Sequence, residues 1–401
     1  MKVAIIGQGY VGLTIAAFAS KRHEVIGFDN SHKLVEQLNK GISHIEGVES
    51  AAISAAVATG RYKATSSASD IAGSDVVVIA VPTPLTKDRK PDLQFIDAAC
   101  KSIGENITKS ALIINESTSF PGTVRNFIKP LIEEYSKEKI AHLYSVSPER
   151  VDPGRQDWDQ KNTPRLFAGL DAQATEQTRE FYSSFCENLV EVSSPEVAEA
   201  AKLFENTFRQ VNIALVNEFA EISNALGISV YEIIDAAATK PYGFMKFSPS
   251  AGVGGHCIPI DPTYLAQAAL EKGVKATFIE RANEVNLAMP KYVVNRVLAD
   301  NGGSLTGKSV QVIGVAYKPN VADVRETPAE IVISELDKLG AIVTWHDPLV
   351  HSWHGQESSA LGGSEIAIVV TLHDAMDKSA VLASAPYVFD TTGKLLGAKG
   401  L

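Results

Sequence analysis

Short unbroken apolar runs recur along this 401-residue chain, each followed by a segment of helical periodicity. Residues 3–6 form the first run, and an apolar run without alternation is what a parallel strand covered on both faces requires. It enters Gly7-Gln8-Gly9-Tyr10-Val11-Gly12 and then a helical pattern over residues 13–20. A second strand pattern, residues 24–28, ends at Asp29. Further strand patterns at 75–81, 111–115 and 142–146 lead into Pro82-Thr83-Pro84, Glu116-Ser117-Thr118 and Ser147-Pro148-Glu149-Arg150-Val151-Asp152-Pro153-Gly154. Strands alternating with helices in this way predict an α/β unit built on a parallel sheet.

The pattern then changes. From 194 to 226 it is helical without a break, with Ser194, Val197 and Glu199 at its start and Gly227 as its stop. At 1.5 Å per residue such a helix is about 48 Å long, more than one compact domain needs, and suits a spine or a dimer interface. Lys202, Asn206 and Arg209 fall at i, i+4 and i+7 and share one face. That polar row either faces solvent or lines a cleft. Leu203, Val211, Leu215 and Phe219 supply apolar surface beside it and favour the cleft. A third pattern has strands at 309–315, 341–345, 365–370 and 387–389 and a helix at 328–339. It repeats the layout of the first without the glycine fingerprint, which suggests a second, different nucleotide. The expected architecture is two Rossmann-like α/β domains, residues 1–193 and 306–401, joined by a central helical domain, residues 194–305.

The glycine run is a weak signal alone, but here it lies between a strand and a helix, with an acid 22 positions after Gly7 at the end of the next strand. Gly7 permits the turn, Gly9 lets backbone approach a pyrophosphate, and Gly12 lets helix pack on strand. The helix N-terminus offers N–H groups to phosphate. Asp29 accepts from ribose hydroxyls and repels a 2′-phosphate, which selects NAD over NADP. Thr83 and Thr118, just past strand ends, are either cofactor or substrate contacts or ordinary helix caps. Lys318 and Arg325 are placed for another phosphate group, or are surface cations.

Composition narrows the partners. A net charge of −10 argues against nucleic acid or an anionic membrane as partner, and no apolar run is long enough to span a bilayer. Three cysteines, an odd number, and a first strand starting at Val3 without a signal-peptide layout fit a cytoplasmic protein. No metal is expected. Among the cysteines, Cys100 and Cys186 sit in helix-like apolar contexts, whereas Cys257 lies in Gly254-Gly255-His256-Cys257-Ile258-Pro259-Ile260-Asp261-Pro262. Glycines that admit a ligand, prolines that stiffen the exit and a nearby carboxylate fit a nucleophilic thiol better than packing.

Taken together, the glycine fingerprint, Pro82-Thr83-Pro84, Ser147-Pro148-Glu149-Arg150, Lys202-x-x-x-Asn206, Gly254-Gly255-His256-Cys257 and Lys318 with Asp323-Val324-Arg325-Glu326 resemble the UDP-glucose/GDP-mannose dehydrogenase family over the whole chain. The loop sequence around Cys257, Pro82 to Thr86 before Pro91-Asp92-Leu93, and Asn206-Thr207-Phe208-Arg209 are closest to its branch acting on N-acetylated amino sugars. The resemblance implies a UDP-N-acetylhexosamine 6-dehydrogenase, gluco before manno, that oxidises a C6 alcohol twice with two NAD and one water. UDP-GalNAc, UDP-glucose and GDP-mannose are alternatives within the family. By the same resemblance Cys257 forms the thiohemiacetal and thioester, Lys202 and Asn206 serve the oxyanion, Asp261 and Thr118 position water or hydroxyl, and Glu149 assists hydrolysis. It implies NAD contacts at Gly7, Gly9, Tyr10, Val11, Gly12, Asp29, Thr83, Thr118 and Arg325. Substrate contacts are implied at Arg150, Val151, Lys202, Asn206, Arg209, Gly254, Tyr317 and Lys318, and a homodimer through the long helix. One departure is Asp390-Thr391-Thr392-Gly393, where the family often carries arginine in place of Thr392.

Two other readings compete. A 3-hydroxyacid-type NAD dehydrogenase shares the first domain and the long helix, but needs neither Cys257 nor the unit after Ser309. A non-catalytic nucleotide-sugar binding protein needs no filled catalytic positions.

Overall fold

The computed structural model describes every residue except 46, 152–156 and 256. Asp152-Pro153-Gly154 and His256, singled out in the sequence, therefore lie outside the described residues. The chain divides into two compact units, one of Met1–Glu205 with Thr263–Lys272 and one of Asn206–Pro262 with Gly273–Leu401. Both are α/β, and each holds a largely parallel sheet, as the alternating pattern predicts.

The first unit carries β1 (Lys2–Ile6), β2 (Glu24–Phe28), β3 (Tyr62–Thr65), β4 (Val76–Ile79), β5 (Leu112–Asn115), β6 (Leu143–Val146), β7 (Arg165–Gly169) and β8 (Leu189–Glu191). They lie in the order β3-β2-β1-β4-β5-β6-β7-β8. The first six are parallel in the doubly wound order; β7 then runs antiparallel to β6 and parallel to β8, an edge that periodicity does not reveal. Alternate residues of β1 enter different cores. Val3 and Ile5 pack with Leu13, Ile15 and Phe181, while Ala4 and Ile6 pack with Ile96, Ile103 and Ile113. Each fully buried side chain of this size contributes roughly 1.5–3 kcal/mol of apolar transfer.

The second unit carries β9 (Ser309–Ile313), β10 (Ile342–His346), a hairpin of β11 (Ser352–Trp353) and β12 (Gln356–Glu357), then β13 (Ile366–Val369), β14 (Tyr387–Asp390) and β15 (Lys399–Gly400). Its main sheet runs β10-β9-β13-β14-β15, all parallel. Val310, Val312 and Ile368 face a core that also takes Val230 and Ile234 of helix Val230–Ala238 and Val293 and Val297 of helix Thr277–Asp300.

The long helix is Pro195–Leu226, 32 residues, close to the expected span. One detail of its reading needs correction. Glu199 does not serve the helix's own start: it is buried and accepts the N–H of Gly122 at 2.6 Å and of Val124 at 3.1 Å. Burial pushes its carboxyl up to about 8. Of the apolar residues beside the polar row, Leu203 is buried but Leu215 is 61% exposed, so that surface is only partly covered within the chain. Among the described residues no helix is long and apolar enough to cross a membrane.

Candidate active site

In the first sheet the winding direction changes between β1 and β4, and ligands of open α/β sheets bind past the carboxyl ends of strands at such a point. Gly7 stands there with φ +91°; a Cβ on it would meet the Ala80 carbonyl at 2.5 Å. Gly12 presses the helix Tyr10–Ala19 onto the turn, since its Cβ would lie 1.9 Å from the Gly7 carbonyl oxygen. Gly9 differs, because a Cβ there meets nothing within 4 Å and the helix has no side-chain cap at this position. The open space is therefore on the side where N–H groups and the positive helix end point. Asp29 is half-buried and receives the Gln8 N–H on one carboxylate oxygen and the Ser31 N–H on the other, both at 2.9 Å. A carboxylate keeps acceptor capacity beyond two bonds, so a ribose diol can still be held. Tyr10 and Val11 are partly exposed at the helix start. This cradle fits a dinucleotide.

Beyond β4 and β5, Ser117 ties two loops together. Its hydroxyl accepts the Val81 N–H at 2.9 Å and donates to the Val81 carbonyl at 2.8 Å. The Tyr264 hydroxyl, on Thr263–Lys272 within the same unit, donates to the Pro84 carbonyl at 3.0 Å. Thr83 is buried and Thr118 half-buried at these loops.

Glu149 sits in a denser network. One of its oxygens accepts the N–H groups of Arg150 and Val151, each at 2.6 Å. The other receives Arg165 at 3.1 Å and the Gln160 amide. Arg165 is buried and also reaches Glu116 at 2.9 Å and the Ser147 hydroxyl at 3.1 Å, with its guanidinium over the Tyr182 ring. The Tyr182 hydroxyl donates to Glu116. Two carboxylates share one cation, and they separate. Burial pushes Glu116 up to about 7. Burial also acts upward on Glu149, but Arg165, the Val151 N–H, the Gln160 amide and Lys202 outweigh it and hold that carboxyl below its usual range. Lys202 on the long helix is thus near Glu149, and Arg150 beside it pairs with Glu205 at 2.6 Å and 3.2 Å. Sequence reading missed Arg165, Glu116 and Tyr182. The available signal was a charged residue opening the otherwise apolar β7 and another directly after the end of β5.

The second unit gathers a different set. Cys257 is exposed, whereas Cys100 and Cys186 are buried and burial pushes their thiols up to about 12 and about 11. The Cys257 carbonyl accepts the N–H of Asp261 at 2.8 Å and of Ile260 at 3.2 Å, a tight turn into helix Asp261–Glu271. Asp261 is buried and its carboxylate accepts the Asn206 amide at 2.5 Å, so the structure brings these two predicted residues together. The glycines before Cys257 lie under Tyr317: a Cβ on Gly254 or Gly255 would come within 2.7 Å of it. The Gly255 N–H donates to the Arg325 carbonyl at 2.9 Å. The Arg325 guanidinium is held by Asp323 at 2.5–3.0 Å, which raises it above its ordinary value, with Cys257 among the groups favouring its charge. Lys318 is partly exposed and Arg209 exposed. Thr392, in place of the expected arginine, bonds locally to Asp390 at 2.7 Å through both its N–H and its hydroxyl.

A doubly wound dinucleotide cradle, a long helix carrying a lysine and an asparagine one turn apart, and an exposed thiol beside a second parallel sheet define an NAD-dependent dehydrogenase of nucleotide sugars. The chain belongs to the UDP-glucose/GDP-mannose dehydrogenase family, matching its NAD binding domain over residues 1–186, its central domain over 196–288 and its UDP binding domain over 311–395. It is 33% identical to a UDP-N-acetyl-D-mannosamine dehydrogenase of Pyrococcus horikoshii over 93% of this chain and 90% of that one. It is also 33% identical to a UDP-N-acetyl-D-glucosamine 6-dehydrogenase of Pseudomonas aeruginosa over 87% of this chain and 83% of that one. A solved structure of a UDP-D-ManNAc dehydrogenase from P. horikoshii superposes with a TM-score of 0.90 at 30% identity, covering 100% of this chain and 99% of that one.

Proposed function

We propose that this enzyme oxidises the C6 alcohol of a UDP-N-acetylhexosamine to the carboxylate, through a covalent intermediate on Cys257. The observation that carries the reading is the contrast among the three cysteines: one exposed in a clamped glycine loop, two buried with suppressed ionisation. NAD, when bound, accepts a hydride in each of two oxidations.

The chain's own groups then have defined tasks. The substrate hydroxyl loses its proton as the first hydride leaves, giving an aldehyde, and Lys202 is the base or oxyanion partner for that step. The Cys257 thiolate adds to the aldehyde carbon, and the new oxyanion is held by Lys202 and Asn206. Loss of the second hydride with the hydroxyl proton leaves a thioester. Water adds, the C–S bond breaks, and the acid and the thiol are released. Asp261, bonded to Asn206, is suited to orient that amide, and Thr118 to position water or hydroxyl. Glu149 accepts four donors and is held low, which suits holding the Arg150–Val151 backbone and facing Lys202 as an anion better than acting as a strong base. Arg150, Val151, Arg209, Gly254, Tyr317 and Lys318 are proposed for the sugar nucleotide, and Gly7, Gly9, Tyr10, Val11, Gly12, Asp29, Thr83, Thr118 and Arg325 for NAD. Residues 1–193, 194–305 and 306–401 would then serve as cofactor, central and UDP domains.

A gluco substrate is the first reading. The manno epimer is the second, favoured by the mannosamine relative that aligns over more of this chain than the glucosamine one. A panel of UDP- and GDP-sugars separates them by which sugar forms NADH fastest, and NADH formed per sugar consumed reads the four-electron chemistry. Two NADH per sugar are expected from the wild type. Cys257→Ser should yield no acid above a trace; uronate formation at the wild-type rate would overturn the covalent step.

The long helix supports a homodimer. Phe204, Phe208, Leu215, Ile222 and Leu226 follow 4-7-7-4 spacing on one face and are all exposed. Light scattering should give twice the 42.9 kDa chain mass.

A further inference from the structure

One buried imidazole has no part in the oxidation steps. His373 follows β13 in the second unit, with its side chain sealed from solvent. Its Nε2 lies 3.1 Å from Asp347 Oδ2, and its Nδ1 accepts the backbone N–H of Asn320 at 2.8 Å. An amide can only donate, so Nδ1 carries no hydrogen and the Nε2 proton is given to Asp347. That carboxylate also accepts the N–H groups of Val315 at 2.9 Å and Ala316 at 3.1 Å. The Thr371 hydroxyl donates to the Ala316 carbonyl at 2.7 Å. At the other end, Asn320 is held at φ +65° and exchanges side-chain bonds with Asp374, one from its amide at 2.6 Å and one from the Asp374 N–H at 2.9 Å.

The segment 315–320 is therefore pinned at both ends by one buried pair. It carries Tyr317, whose Cβ backs Gly254 and whose ring covers Gly255, and whose N–H donates to the Asp323 carbonyl at 2.9 Å. Asp323 holds Arg325, which in turn accepts from Gly255. Cys257 stands two residues further along.

We propose that His373, through Asp347 and the Tyr317 segment, is a positioning residue that fixes the Cys257 loop for reaction. The proposal rests on the reading of Cys257 as nucleophile. It makes the C-terminal sheet more than a nucleotide handle, because its first turn is also the wall against which the thiol loop is set.

Two replacements separate the bonds. His373→Asn keeps an acceptor for the Asn320 N–H and loses the donor to Asp347; His373→Gln does the reverse. In the full-length dehydrogenase, iodoacetamide labelling of Cys257 followed by peptide mass should slow about threefold or more in both, as the Gly255–Arg325 backbone bond that sets the loop beside that guanidinium loosens. Cys100 and Cys186, being buried, serve as internal references. With sugar nucleotide and NAD, kcat should fall roughly tenfold while KM for the sugar moves less, as expected of a misplaced group. In a Tyr317→Ala background the labelling effect of His373→Asn should vanish. If the His373 variants fail to fold, Asp374→Ala, at the exposed rim, should slow labelling in the same direction by a smaller factor. Labelling at the wild-type rate in folded His373 variants, or in Asp374→Ala where those do not fold, overturns the proposal. If Cys257→Ser remained fully active while His373→Asn slowed labelling, the positioning would stand and the nucleophile reading would fall.

Discussion

Both sheets leave their first strand on a glycine in the left-handed region, yet only one of the two turns feeds a helix. After β1 come Gly7 and then Tyr10–Ala19; after β9 comes Gly314, φ +77°, and then a long connection to helix Pro328–Lys338. The crowding is alike, since a Cβ on Gly314 would sit 1.8 Å from the Thr371 carbonyl oxygen, as one on Gly7 would meet that of Ala80. The difference lies downstream. Gly12 lets a helix press against the first turn, whereas the fifth residue after Gly314 is Pro319, which has no N–H to give a helix. The acids at the ends of the second strands follow suit. Asp29 receives two N–H groups and stays partly exposed, while Asp347 is 1% exposed and is saturated by four N–H groups and His373. One turn keeps its acid for a ligand; the other uses its acid to hold its own loop.

The sharpest way to break the comparison is to fill the glycines. Gly314→Ala should lower stability by about 3 kcal/mol or more, because backbone must move and φ is unfavourable. Gly9→Ala, with open space around its Cβ, should leave stability within about 0.5 kcal/mol and instead weaken NAD. Denaturant melts and NAD titration read both, and a large stability loss in Gly9→Ala would contradict the open cradle.

The buried acids of the two units should respond to pH with opposite sign. Glu116 is raised to about 7, so its contribution to stability is full at acid pH and lost as pH rises through that value. Glu116→Gln has no such loss, and should gain on the wild type by up to about 3 kcal/mol between pH 4 and 8. Asp347 is held low: burial opposes its charge, but the His373 bond and the backbone N–H groups prevail. Its contribution is present above the ordinary aspartate range and lost as pH falls below it, so the deficit of Asp347→Asn should shrink in acid. Melting temperatures across pH test both slopes; parallel slopes would refute the contrast.

The smallest effect concerns Asp29→Ala. It should raise the KM for NAD by about tenfold, the loss of one charge-assisted contact, and relax discrimination against NADP with little change in melting temperature. Unchanged cofactor preference would remove Asp29 from the ribose.

Much of this molecule is legible from local pattern. Unbroken apolar runs place the buried parallel strands, Gly7, Gly9 and Gly12 mark the dinucleotide turn, and the stretch from Ser194 to Gly227 yields the long helix. Cys257 stands out because a thiol between glycines and prolines is poorly suited to packing. These are properties of a few consecutive residues or of one repeat period. Other assignments depend on which strand lies beside which. Arg165 joins Glu116 and Glu149 because β7 runs back along β6, and His373 meets Asp347 because β13 and β10 both flank β9. Burial then decides their meaning: it raises Glu116, denies Cys100 and Cys186 easy ionisation, and turns Asp347 inward while Asp29 stays at the rim. Local periodicity determined the elements and the candidate chemistry; sheet pairing and desolvation, which no short window contains, decided which charges share a partner and which thiol is exposed.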